Sequence, residues 1–138
     1  MTPQLQRRLA SEEGSVLITG LLLSVALLMV IGFAVDLGHA FLVKRQLASI
    51  ADDAALSGSQ AIDLPALHAG HLQLDPGQAR LEALRTVDAN PSVTGQVNAT
   101  TGTVTVTVRR RVPTILLALV GLKTLTLTAH ATAAPRGP

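Results

Sequence analysis

The sequence predicts an α+β fold: a long N-terminal transmembrane helix continuing outside the membrane, followed by a small antiparallel β-sheet module with one or two short helices. Three observations carry this. Val16–Val35, VLITGLLLSVALLMVIGFAV, is twenty residues without a charge. No proline interrupts the helix formers that follow it as far as Gly58. From Ser92 onward the apolar residues recur with period two.

At helical rise the Val16–Val35 segment is ~30 Å long, the thickness of a bilayer's hydrocarbon core. A buried core helix would need cover on all sides, and a chain of 138 residues has too little to provide it. A secretory leader has an apolar core of only ~7–15 residues, and the small-residue site near Gly38-His39-Ala40 lies beyond Asp36. Retention of the helix is therefore expected. Arg7 and Arg8 precede it and Lys44 and Arg45 follow, so basic residues alone do not orient it. A short arm, 1–15, is expected to stay inside while the larger module is exported.

Residues 36–59 are expected to extend the same helix, making Val16–Ser59 ~66 Å long. Ala40, Val43, Leu47, Ile50 and Ala54 recur at steps of three and four, which draws a narrow apolar seam. Such a seam fits a partner helix or the chain's own C-terminal module equally well. Lys44, Arg45, Gln46, Ser49, Asp52 and Asp53 lie mostly away from it.

Residues 60–133 are expected to form the exported module. Ile62–Gly77, with two prolines and two histidines, reads as a connecting loop. Asp75-Pro76 is a helix start, Asp as N-cap and Pro at the first position, with Leu81, Leu84 and Val87 on one stripe. Val93–Ala99, a turn at Thr100-Thr101-Gly102, and TVTVTV from Thr103 to Val108 form a hairpin. Pro113 ends its second strand, TILLALVG is long enough for about two helical turns, and Lys123–Ala133 is a third strand with Leu125, Leu127, Ala129 and Ala131 on one face. Residues 134–138 are expected to be a disordered tail.

The residues organise no chemistry. There is no cysteine, which removes disulfides, thiolate zinc sites and cysteine nucleophiles. The net charge is +2 and the basic residues are scattered apart from Arg109–Arg111, unlike a nucleic-acid binder. His68 and His71 flank Gly70 without further ligands, and no glycine pattern fits a phosphate loop. Asp52 and Asp53, adjacent on a helix, diverge by ~100° and do not converge on a substrate. Asp36 and His39 read as a polar pair at the edge of the lipid zone. Arg109 and Arg111 should point outward and Arg110 toward the valine face. The expectation is a protein that is not an enzyme, with no cofactor, metal, nucleic acid or small-molecule substrate.

The run EEGSVLITGLLLSVALLMVIGFAVDLGHAFLVKRQLASIADDAALSGS resembles the N-terminal region of TadE/TadG-like proteins of the Flp (Tad) pilus-assembly system. The resemblance rests on Gly14, Asp36 with Gly38, Lys44-Arg45, Leu47, and Ala51-Asp52-Asp53-Ala54-Ala55-Leu56-Ser57-Gly58, across about the first 60 residues. It implies a bacterial inner-membrane protein, single-pass, N-terminus inside and module outside. It also implies a pseudopilin-like or minor-pilin-like component of pili used for adhesion, partnered by lipid and by other pilus-assembly or secretion-system proteins. Prepilin-type members are cut after a glycine, for which Gly14 is the candidate. The fifth residue beyond it is Thr19, where such members usually carry Glu, which implies an uncleaved, membrane-retained protein.

Overall fold

The computed structural model describes the backbone of residues 3–136 and, from Gly14 onward, the side chains other than that of Val120. The architecture is α+β, as the residue patterns predict: helix α1 (Pro3–Ser59), helix α2 (Leu64–His68), helix α3 (Pro76–Asp88), and strands β1 (Thr94–Ala99), β2 (Val104–Pro113) and β3 (Thr124–Ala133). Helix α1 has 57 residues and no break, ~86 Å at helical rise. It begins at Pro3, so the expected arm and the apolar stretch are one helix. Of the expected tail, Ala134–Arg136 have no regular structure, and Gly137 and Pro138 lie outside the described residues.

The sheet is antiparallel in the order β1-β2-β3. Its register puts Val104, Val106 and Val108 opposite Ala133, Ala131 and Ala129 on the inner face, and Thr105, Thr107 and Arg109 opposite Thr132, His130 and Thr128 on the outer one. Period-two alternation thus sorts an apolar face from a polar one. The apolar face is covered by the second half of α1, which lies over β2 and β3, and by α3, which lies over β1. Leu47, Leu74, Val87, Val104, Val106 and Val108 are the largest fully buried side chains.

Strand β2 runs antiparallel along α1. Val104 Cγ1 is 3.0 Å from where a Cβ on Gly58 would stand, and the Ile115 N–H reaches Asp36. From Asp36 to Gly58 the helix rises ~33 Å, and from Val104 to Ile115 an extended chain covers ~36 Å. The two elements therefore stay side by side over that whole length.

Three local expectations are corrected. The segment read as a plain loop contains α2, capped by the Asp63 carboxylate, which accepts from the Ala66 N–H at 3.3 Å. It is tied down by the fully buried Leu74, whose N–H donates to the Thr101 carbonyl at 2.8 Å. Asp63 followed by Pro65 is the same start signal as Asp75-Pro76, masked by the breakers around it. On α3 the buried stripe is Ala79, Ala83 and Val87, and Leu81 is 58% exposed. The helix turns its small residues inward because α1 approaches too closely for leucine: a Cβ on Gly58 would stand 2.8 Å from the Ala79 carbonyl oxygen. TILLALVG forms a bend and one 3-10 turn, Leu117–Val120, rather than two helical turns, and leaves it through Gly121 at φ +94°.

Candidate functional site

The residues singled out in the sequence fall on two sides of α1. Val43, Leu47 and Ala54 of the apolar seam are buried together with Ala51 and Ala55, Ile50 packs against them in part, and Ala40 is half-buried. All of that cover comes from the chain's own sheet and α3. Of the two covers that periodicity leaves open for this seam, a partner helix and the chain's own module, the structure supplies the module, so these residues are not a free partner-helix face.

The small residues of the ADDAALSG stretch serve the same contact. Ala51, Ala54 and Ala55 are fully buried, and Gly58 meets Ala79, Ala83 and Val104 at distances that exclude a side chain. Small residues let two helices approach closely; here the second helix is α3. Ser57 Oγ accepts from the Thr86 hydroxyl at 3.2 Å across that contact.

The opposite side of α1 is free in the structure. Lys44, Arg45, Asp52, Asp53 and Leu56 of the family motif are exposed. The one ion pair among the described residues is Glu82–Arg85 on α3, so these charges face outward with no ion-pair partner among the described residues. Gly38 is exposed with nothing near a Cβ position; Gly14, the candidate processing site, is half-buried, likewise has nothing near a Cβ position, and sits inside the unbroken helix.

Asp36 is the residue that sequence reasoning placed wrongly. It is not an outward polar pair with His39, which is exposed, but is itself only 8% exposed, turned toward the loop after β2. Its Oδ1 accepts from the Ile115 N–H at 3.1 Å, and its Oδ2 from the Leu116 and Leu117 N–H groups at 2.8 and 2.9 Å. These amides open a 3-10 turn that has no side-chain cap of its own. Helix starts leave N–H groups unpartnered and favour negative charge; Asp36 supplies both needs from a distant point in the chain. Leu116 also packs its side chain over Gly32, so that a Cβ on Gly32 would collide with it.

The sheet's outer face carries a shallow groove lined by Ser92, Gln96, Thr107, Arg109, Arg111 and others. Arg110 lies at the rim of the inner face opposite Leu127. Among the described residues no group of three or more metal-ligating side chains comes together, and His68 and His71 are both exposed.

The features of α1, its apolar stretch, Asp36 with Gly38, a basic pair and the ADDAALSG stretch, are now fixed in space. Residues 14–61 match the family model described as putative Flp pilus-assembly TadE/G-like. Over this stretch the chain is TadE/G-like. The matched TadE/G-like segment is about a third of the chain and runs from just before the apolar stretch to just past the end of α1. No curated protein and no solved structure matches. The match is to a family described by its part in Flp pilus assembly, and it covers the first helix from Gly14 onward but not the sheet or the two short helices. The long apolar TadE/G-like helix is consistent with a single-pass membrane anchor.

Proposed function

We propose that this protein is a non-catalytic, membrane-anchored strut of Tad pilus assembly, pseudopilin-like or minor-pilin-like, with its N-terminus inside and its module outside. The observation that carries the proposal is the unbroken α1, whose first half exposes Leu17, Leu21, Leu28 and Met29 while its second half forms one wall of the module's core. Exposed leucines on every side of a helix belong in lipid. A head built onto the continuing helix cannot swivel freely relative to the anchor.

The docking surface for other Tad components is the outward side of the extension, Lys44, Arg45, Ser49, Asp52, Asp53 and Leu56, since the apolar seam is covered by the module. Mixed charges on an exposed helix set the register of a partner more than they add affinity. The rival reading, a module released from a cleaved leader, is disfavoured by Asp36 and Gly32. Both lie in the part that would be removed, yet both hold the loop at Leu116.

Carbonate extraction of membranes, combined with photo-cross-linking from Ser49 or Asp52, tests the proposal. Retention in the pellet and cross-links to other Tad components are expected. Release into the supernatant, or cross-links from buried Leu47 but not from Ser49, would overturn it.

A further inference from the structure

We infer that the loop Thr114–Leu122 is a second membrane-contacting element, seated in the bilayer beside α1, so that the head rests on the lipid surface instead of standing off it. The inference rests on α1 being the membrane anchor. Ile115, Leu119 and Leu122 are 74%, 81% and 60% exposed. A cluster of large apolar side chains left in water at a loop tip marks a contact surface.

The loop's place along α1 selects lipid as what it contacts. Leu116 lies over Gly32, one helical turn closer to the bilayer centre than Asp36, ~6 Å by helical rise. That level is inside the Val16–Val35 span. On α1 itself the exposed apolar surface does not stop at Asp36 but continues through Leu37, Phe41 and Leu42. Asp36 does not interrupt it, because its carboxylate faces the loop.

Cations begin where the apolar surface ends. Lys44 and Arg45 follow Leu42 on α1, ~12–14 Å beyond Asp36. On β2, Arg111 lies ~13 Å beyond Ile115 in the same direction. Lys123 stands at the neck of the loop, its carbonyl accepting from the Thr114 N–H at 3.2 Å, nearer the Asp36 level than Arg111 is, and its long side chain can extend outward to the headgroups. Basic side chains at the depth of anionic headgroups, flanking an apolar wedge, are the pattern of a membrane-bound surface.

Backbone N–H groups must be satisfied for a loop to lie in an apolar medium. Those of Ile115, Leu116 and Leu117 donate to Asp36. Those of Thr114, Leu119, Gly121 and Leu122 donate to carbonyls within the loop or its neck. The Thr114 hydroxyl also donates to the Leu122 carbonyl. The role of Asp36 in this reading is to permit a non-helical backbone to sit at membrane depth.

The chain has no cysteine, so single reactive positions can be introduced for depth measurement. Leu28→Cys, Leu119→Cys, Leu122→Cys and Asn98→Cys variants of the full chain, each carrying a small fluorophore, are reconstituted in phosphatidylcholine–phosphatidylglycerol vesicles. Brominated acyl chains and aqueous iodide serve as quenchers. The labels at Leu119 and Leu122 should lose fluorescence to brominated lipid as the Leu28 label does, and be spared by iodide, whereas the Asn98 label should show the reverse. Iodide quenching at Leu119 and Leu122 with lipid quenching at Leu28 would overturn the inference while leaving the anchor intact. Shielding of the loop labels from both quenchers would also overturn it, in favour of a protein contact. Iodide quenching at Leu28 would overturn the anchor and the inference together.

Discussion

Leu116 is held twice by α1: its N–H donates to Asp36 Oδ2 at 2.8 Å, and its side chain covers Gly32, one turn earlier on the helix. This joint ties the far end of β2 to the end of the apolar stretch, and Gly58 against Val104 ties the near end to the end of α1. Between the two joints the module has no freedom to hinge away from the helix.

Asp36→Ala should free three amides at once. Hydrogen exchange at Ile115, Leu116 and Leu117 should accelerate roughly tenfold or more, the effect of losing hydrogen bonds to a charged acceptor. Asp36→Asn keeps one side-chain acceptor and turns an NH2 group toward donors, so it should also accelerate exchange, but less. Exchange in β1 should not change in either variant. Unaltered exchange at Leu116 would show that the carboxylate is not what holds the loop.

Gly58→Ala and Gly38→Ala should have opposite effects. At Gly58 a Cβ would stand 2.8 Å from a backbone oxygen of α3, so the helices must separate, at a cost of ~1–3 kcal/mol. At Gly38 nothing lies near a Cβ, and relief of glycine's entropy cost should stabilise the helix by about 0.5–1 kcal/mol. Thermal unfolding of the two variants checks the sign of each.

Leu47→Ala should destabilise the head by ~2–5 kcal/mol, since the side chain is fully buried in the core. A charged residue there would unfold the module, and any lost cross-linking would then report misfolding. Lys44→Glu and Asp52→Lys change exposed positions and should leave the melting temperature within the range of ordinary surface substitutions, about ±0.5 kcal/mol. Reduced cross-linking to Tad components in these two variants, at unchanged stability, would locate the docking side.

Retention of the residues before Ser15 is a further expected outcome. Gly14 lies inside a helix that continues on both sides of it, and Thr19 stands where prepilins of this type usually have Glu. Intact-mass measurement of the mature protein checks this; a mass beginning at Ser15 would contradict it.

The elements that the sequence revealed are those whose signals are local. The uncharged run from Val16 to Val35, the Asp75-Pro76 cap and the TVTVTV alternation each specify their structure over a few residues, and each holds. The misplaced features depend on distant partners. Asp36 looks like a boundary charge because its partners lie 79 to 81 residues further on. Leu81 looks like a core residue because leucine usually is one, and only the proximity of Gly58 makes Ala79 and Ala83 the buried choice. The seam of Val43, Leu47 and Ala54 was legible as a contact surface; periodicity names the face but not what covers it.

Hydrogen exchange along α1 in the full chain, reconstituted in vesicles, tests the central claim most directly. The account predicts continuous protection from Val16 to Ser59, by lipid up to about Leu42 and by the module's core from Val43 onward, with no gap across Asp36–Lys44. Rapid exchange across Asp36–Lys44 would mean that anchor and head are separate bodies, and would contradict the account.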